Sequence, residues 1–174
     1  YLASPYGTYL TAKSIYFPLA YPSNAARRPK DALWGFAHDT GAKAFDASAI
    51  VKENNRVKND VFGGRAFVVW VDDTGALHMN ERGNERFVRV QSDALVTQDG
   101  DVWTMDPLAW TLHRGTEQRG AVHPLRLFWF AWAATYPQTE IYGNVLKQGL
   151  VDGVFTADEA RDDNVVRIDV DEGR

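Results

Sequence analysis

The stretch Arg65–Val71, which reads Arg-Ala-Phe-Val-Val-Trp-Val, decides the fold class of this chain. Its last five residues are all β-branched or aromatic, a composition typical of a strand in the interior of a sheet. The pair Gly63-Gly64 precedes the stretch and the turn cluster Asp72–Gly75 follows it. Because the mostly apolar run Ala76–Met79 comes next, the sequence predicts a β-hairpin centred on that cluster.

The same alternation of apolar runs and turn clusters continues on both sides of this hairpin. Leu33–Ala37 and Ala42–Asp46 flank the turn residues His38–Gly41, which predicts another hairpin. Further short runs lie at Phe87–Val90, Ala94–Thr97, Asp101–Met105, Glu140–Gly143 and Val165–Val170. Turns about every 8–12 residues are typical of antiparallel sheets, sandwiches and barrels. We therefore predict a mainly β (α+β) fold, built as an antiparallel sheet or barrel-like domain.

Two segments have helical rather than strand character. Ala47–Glu53 is long enough for one or two helical turns. Near residues 124–136, large apolar residues recur at steps of three and four, which predicts one buried aromatic helix. Pro124 suits its first turn, and Pro137 suits its end. The residues with this spacing are Leu125, Phe128, Trp129, Trp132 and Ala133.

The two ends of the chain differ in composition from its middle. Residues 1–30 combine four prolines with six aromatic residues, which predicts an extended arm that packs on its own domain or on a partner. Residues 152–174 hold eight acidic and three basic residues, and Thr156–Glu159 within them has the pattern of a helix capping box. We predict a single β-rich domain at residues 31–151 between this arm and this acidic C-terminal extension.

Composition excludes several classes of site and partner. None of the 174 residues is cysteine, so disulfides, thiolate metal sites and cysteine nucleophiles are absent. The net charge is −4, which is unlike the basic surface of a nucleic-acid-binding domain. The longest apolar run, Leu127–Ala134, is far shorter than the roughly 18 residues of a membrane-spanning helix. We therefore expect no nucleic-acid partner and no membrane span.

No sequence motif points to a metal, a cofactor or a catalytic group. The four histidines are not spaced as in common metal sites, and Asp72-Asp73 lacks the ligand pattern of a calcium loop. No phosphate loop, dinucleotide fingerprint or nucleophile elbow occurs. The sequence therefore predicts no cofactor, no metal and no catalytic residue. The six tryptophans could stack on a sugar or another flat ligand, although such residues more often build a core.

Three stretches, in this order, resemble one known family: Gly35–Asp46, Val57–Val69 and Phe128–Tyr142. Together they are similar to the domain of unknown function 3179 family, a prokaryotic family with many exported members. The resemblance extends over roughly residues 31–143. It implies the architecture of that family and a periplasmic or extracellular location, and it implies no activity.

One departure from the family pattern concerns chemistry. Most members carry a Cys-Pro-Leu-Cys turn after the second strand of the pattern, and that turn is the family's candidate for redox or metal chemistry. Val69–Gly75 stands there in this chain, without either thiol or the proline. The resemblance therefore implies a divergent member, a scaffold that has lost its relatives' candidate site.

Three functional hypotheses follow from the sequence. The first is a non-catalytic extracytoplasmic domain, a binding or accessory subunit of a larger assembly whose partners are other proteins. The alternative is an enzyme or small-ligand-binding domain with a pocket at the strand-hairpin junction around residues 70–78, built from Trp70, Asp72, Asp73 and His78. The third is a purely structural component such as a filament subunit. The sequence favours a protein that is not an enzyme.

Overall fold

Strands dominate the part of the chain that the computed structural model describes, which is residues 27–53, 55–143 and 165–166. The predicted mainly β fold is confirmed. The strands are β1 (Ala32–His38), β2 (Gly41–Phe45), β3 (Val57–Phe62), β4 (Arg65–Val71), β5 (Leu77–Glu81), β6 (Phe87–Gln91), β7 (Ala94–Thr97), β8 (Val102–Met105), β9 (Leu112–Arg114), β10 (Glu117–Arg119), β11 (Ala121–Val122), β12 (Leu125–Phe128), β13 (Glu140–Tyr142) and β14 (Val165–Val166). The helices are α1 (Ala47–Glu53) and α2 (Trp129–Thr135).

These strands form three separate sheets rather than one barrel. The outer sheet has the order β12-β1-β2-β13-β14, and the central sheet has the order β11-β5-β4-β3. The meander sheet joins strands that are consecutive in the chain, in the order β10-β9-β8-β7-β6. Neighbouring strands run antiparallel, except that β13 lies parallel to β2.

Three apolar clusters stack these sheets into layers. One lies between the outer and central sheets and contains Phe45, Phe67 and Met79. A second lies between the central and meander sheets and includes Trp70 and Trp103. The third covers the other face of the outer sheet with α2. The central sheet is therefore buried on both faces.

The strand β4 shows why its sequence is continuously apolar. Phe67, Val69 and Val71 point into the cluster shared with the outer sheet. Val68 and Trp70 point into the cluster shared with the meander sheet. Successive side chains of a strand lie on opposite faces, so a strand with two buried faces has no position left for a polar residue.

The predicted helix near residues 124–136 is present but begins five residues later than Pro124. Trp129–Thr135 is helical, whereas Leu125–Phe128 is the strand β12. Antiparallel pairing with β1, Leu127 opposite Leu33 and Leu125 opposite Gly35, holds that segment extended. A run of four residues with apolar side chains at both alternating and helical spacing fits either structure, and tertiary pairing selected the strand.

Several predictions lie on residues outside the described part. They are the predicted arm up to residue 26, the capping box at residues 156–159, and most of the acidic extension. Of the strand predicted at Val165–Val170, residues 165–166 are described, and they pair with β13. No helix in the described residues is long and apolar enough to cross a membrane.

Candidate functional site

The imidazole of His78 lies between two tryptophan rings. The ring centroids of His78 and Trp70 are 4.3 Å apart with the planes inclined by 27°. On the other side the centroid of Trp110 is 4.9 Å away. Antiparallel pairing of β4 and β5 sets Trp70 directly opposite His78, so both rings leave the same face of the central sheet. Trp110 reaches this face from the loop between β8 and β9.

Asp72 fixes the orientation of the His78 ring. Its Oδ1 accepts hydrogen bonds from the backbone N–H groups of Thr74 and Ala76, and its Oδ2 lies 2.8 Å from Nε2 of His78. Burial raises the pKa of Asp72, but the bonds from His78, Thr74 and Ala76 outweigh burial and lower this pKa to about 2. An ionised carboxylate only accepts hydrogen bonds, so we assign the proton to Nε2 of His78.

The other ring nitrogen of His78 has no such partner. Its Nδ1 is buried and makes no hydrogen bond within the described residues. The side chain as a whole is only 5 % exposed. A buried nitrogen without a partner carries an energetic cost.

Asn80 braces both tryptophans of the stack. Its Oδ1 accepts a hydrogen bond of 3.1 Å from the indole Nε1 of Trp70. Its Nδ2 donates one of 2.7 Å to the backbone carbonyl of Trp110. Asn80 is fully buried, so the two bonds are shielded from water.

The backbone of Trp110 adopts a strained conformation. Its φ of 59° lies in the left-handed region, which is rare for a bulky side chain. The loop before it is a turn around Asp106, whose Oδ1 accepts the backbone N–H groups of Leu108 and Ala109. Held in this way, the Trp110 side chain stays 44 % exposed beside His78. The loop therefore presents an aromatic ring at the surface instead of burying it.

A cleft of about 190 Å³ opens beside His78 and Trp110. Trp34 lines it from the outer sheet, and Ala121–Pro124, which comprises β11 and its connection to β12, lines it from another side. Its remaining lining residues are Ala76, Leu77 and Met79. Pockets for drug-sized molecules usually measure roughly 300–1,000 Å³, so this volume suits a single ring or side chain.

Three of the four predicted site residues come together, since Trp70 and Asp72 both contact His78, and His78 alone of the three lines the cleft. The fourth does not join them. The carboxylate of Asp73 is 70 % exposed and pairs with Arg56 on the far side of the turn. The sequence reasoning missed Asn80, and it did not single out Trp34 or Trp110 from the other tryptophans.

A second polar cluster lies between the outer and central sheets. The Nζ of Lys43, on β2, is 2.8 Å from a carboxylate oxygen of Asp60 on β3 and 3.5 Å from one of Glu140 on β13. Lys43 is only 3 % exposed. Within the described part of the chain, no group of three histidine, aspartate or glutamate side chains is arranged to hold a metal ion. We interpret this cluster as an ionic link between the two sheets.

Replacing Asp72 with asparagine should lower the free energy of unfolding by about 1 kcal/mol at pH 7, because the variant loses the charged acceptor of His78. The pKa of Asp72 is lowered by folding, so its contribution is present above about pH 4 and is lost as the pH falls towards about 2. Urea unfolding at pH 7 and pH 2.5 should show a difference between wild type and variant that is clearly smaller at the lower pH.

The neighbouring Asp73→Asn substitution is the matched control for this measurement. Its carboxylate is largely in solvent, so the effect should stay below about 0.5 kcal/mol at either pH. An Asp72→Asn difference that stayed constant down to pH 2.5 would show that the carboxylate does not act through its charge.

Comparison with known proteins gives one match. The family model described as protein of unknown function (DUF3179) matches residues 1–139 of the chain. The matched range contains every residue of the cleft beside His78. No curated protein and no solved structure matches the chain.

Proposed function

The chain belongs to the DUF3179 family, and we propose that it is a binding domain which holds one planar apolar group in the cleft beside His78. The observation that carries the proposal is Trp110, a half-exposed ring held in a left-handed backbone conformation against a buried imidazole. Strain of this kind persists only where the surrounding structure enforces it, and it concentrates at functional sites.

The lining of the cleft favours a flat apolar ligand over a sugar. Trp34 and Trp110 offer two aromatic rings, and Leu77, Met79 and Val122 supply aliphatic surface. His78 and His123 are the lining residues with hydrogen-bonding side chains besides the two indoles. A sugar has several hydroxyl groups to satisfy, whereas an aromatic group gains from stacking and from burial of its faces.

The same lining favours binding over catalysis. No hydroxyl, carboxylate or amine side chain belongs to it. An Asp–His pair acts as a general base when a nucleophilic side chain lies next to the histidine, and the lining of this cleft contains no such side chain. With the Trp rings on both of its faces, the imidazole instead forms part of the wall. The enzyme alternative therefore has less support than a binding site.

Trp110→Ala should weaken binding of indole at least about tenfold, because the variant removes one wall of the cleft. Indole is titrated into ¹⁵N-labelled protein, and the Nε1–H resonances of the tryptophans are followed. In wild type we expect shifts for Trp34 and Trp110 and none for Trp129, which is buried under the far face of the outer sheet.

Leu108→Ala is the control, since Leu108 lies in the same loop, is 92 % exposed and does not line the cleft. It should bind indole as wild type does. Equal affinities of wild type and Trp110→Ala, or shifts that avoid Trp34 and Trp110, would contradict the proposed site.

We propose further that this binding serves an accessory subunit in the periplasm or outside the cell. This part rests on the family resemblance and on two exposed apolar residues, Trp110 in the lining of the cleft and Leu125 directly after its lining residue Pro124. Native co-purification from a cell envelope fraction tests it, and a monomer without co-purifying protein in the cytosolic fraction would count against it.

A further inference from the structure

We infer that the group held in the cleft is a side chain of an extended polypeptide segment that pairs with the open edge of β12. This inference rests on the proposed binding function of the cleft and names the class of its ligand. Four features of β12 support it: an edge without a neighbouring strand and an arginine without an ion pair within the described residues, exposed apolar side chains, and direct continuity with the cleft.

Among the described residues, no strand pairs with the outer edge of β12. β12 is the last strand of the outer sheet in the described residues, with β1 as its neighbour there. The N–H of Trp129 donates to the carbonyl of Asp31 at 2.8 Å, which fixes the hydrogen-bonding alternation along this pair. By that alternation Leu125 and Leu127 bond towards β1, and the N–H and C=O groups of Arg126 point outward.

The two faces of β12 offer different contacts to an added strand. Leu125 and Leu127, opposite Gly35 and Leu33, lie on the α2 side of the sheet and are 61 % and 39 % exposed. Arg126 lies on the opposite side, directly across from Trp34, which lines the cleft. An added strand would place alternate side chains on the leucines and towards the cleft.

The cleft and this edge are adjacent in the chain. The connection from β11 passes through His123 and Pro124, both lining the cleft, and enters β12 at Leu125. A segment paired with β12 therefore reaches the cleft with the side chain that lies opposite Pro124.

Charge and size indicate the partner. Arg126 is exposed and makes no ion pair within the described residues, so an acidic residue opposite it would be complementary. A stable dimer buries roughly 800 Å² per partner, whereas this site consists of a four-residue edge and a cleft of about 190 Å³ that takes one side chain. They suit a short segment with an apolar-acidic-apolar-aromatic pattern rather than a second copy of this chain.

The test uses the peptide acetyl-Thr-Val-Glu-Val-Trp-amide. Antiparallel to β12, its valines face Leu127 and Leu125, its glutamate faces Arg126 and its tryptophan faces the cleft. Its Kd, measured by calorimetry, should be at least about tenfold lower than that of N-acetyl-tryptophanamide.

N-methylation separates strand pairing from simple occupation of the cleft. In this register the glutamate N–H donates to the carbonyl of Arg126, whereas the N–H of the second valine points away from β12. N-methyl-glutamate should therefore raise the Kd at least about tenfold, and N-methyl-valine less than about threefold. Equal effects of the two modifications would overturn the inference.

Protein variants complete the test. Arg126→Glu should raise the Kd of the protein for the peptide about fivefold or more. The same variant should bind the peptide with lysine in place of glutamate more tightly than wild type does. The Kd of the Trp110→Ala variant for the original peptide should equal the Kd of wild type for the peptide with alanine in place of tryptophan. If N-acetyl-tryptophanamide binds at the cleft and the peptide binds no tighter, the inference fails and the proposed function stands. If neither binds, both fail.

Discussion

Replacing Lys43 with methionine is expected to lower the free energy of unfolding by about 3–5 kcal/mol at pH 7. The Lys43 ammonium is buried between Asp60 and Glu140, at 2.8 Å and 3.5 Å from their carboxylates. Without it, two carboxylates remain close together with little water to screen them, and that is more costly than the loss of the attraction itself. Urea unfolding followed by circular dichroism gives the value.

Lys52→Met serves as the control, because Lys52 lies on the exposed side of α1 and its loss should cost less than about 0.5 kcal/mol. The double variant Lys43→Met, Asp60→Asn should recover part of the lost stability, since it removes one of the two carboxylate charges that Lys43 pairs with in wild type. A loss below about 1 kcal/mol for Lys43→Met alone would show that the link between the sheets does not depend on the ammonium group.

Asn80→Ala is expected to lower the free energy of unfolding by about 2–3 kcal/mol and to weaken indole binding at least about tenfold. The substitution leaves the Trp70 indole N–H and the Trp110 carbonyl without their partner, and the Trp70 group is buried. It also frees the Trp110 backbone to leave its left-handed conformation, so the wall of the cleft is lost. Unfolding and the indole titration are measured on the same preparation.

Asn59→Ala provides a control matched in chemistry. Asn59 bonds the N–H and the carbonyl of Phe87 at 2.9 Å and 2.7 Å and so links the central and meander sheets away from the cleft. Its loss should cost similar stability and leave indole binding unchanged. Equal losses of binding in the two variants would mean that Asn80 acts only through overall stability.

The hairpins could be predicted because their signals are local. In the segment from Arg65 to Met79, composition and turn residues fix both strands, and their pairing then sets Trp70 opposite His78. Which of two adjacent acids meets His78 could not be predicted. The answer depends on the turn in which Asp72 accepts backbone N–H groups, and such geometry leaves Asp73 facing solvent.

The remaining parts of the site depend on contacts between distant segments. Trp110 contacts His78 because the meander sheet packs on the central sheet, and no local sequence pattern indicates that packing. The brace from Asn80 spans 30 residues of sequence. The spacing of Leu125 and Phe128 predicts a helix where β12 lies, and only the pairing of β12 with β1 decides otherwise. Pairings at this sequence distance are invisible to periodicity.

The burial of β4 on both faces has a consequence for how the protein unfolds. Its two faces belong to different apolar clusters and both of its edges pair with neighbouring strands, so its backbone amides reach solvent only when a neighbouring strand separates from it. Exchange of its amide hydrogens with solvent should therefore be slow, whereas those of the edge strand β12 can exchange by local fraying. The slowest-exchanging amide protons would then belong to β4, the strand buried on both faces, and the fastest to β12, the strand whose edge is proposed to bind a partner.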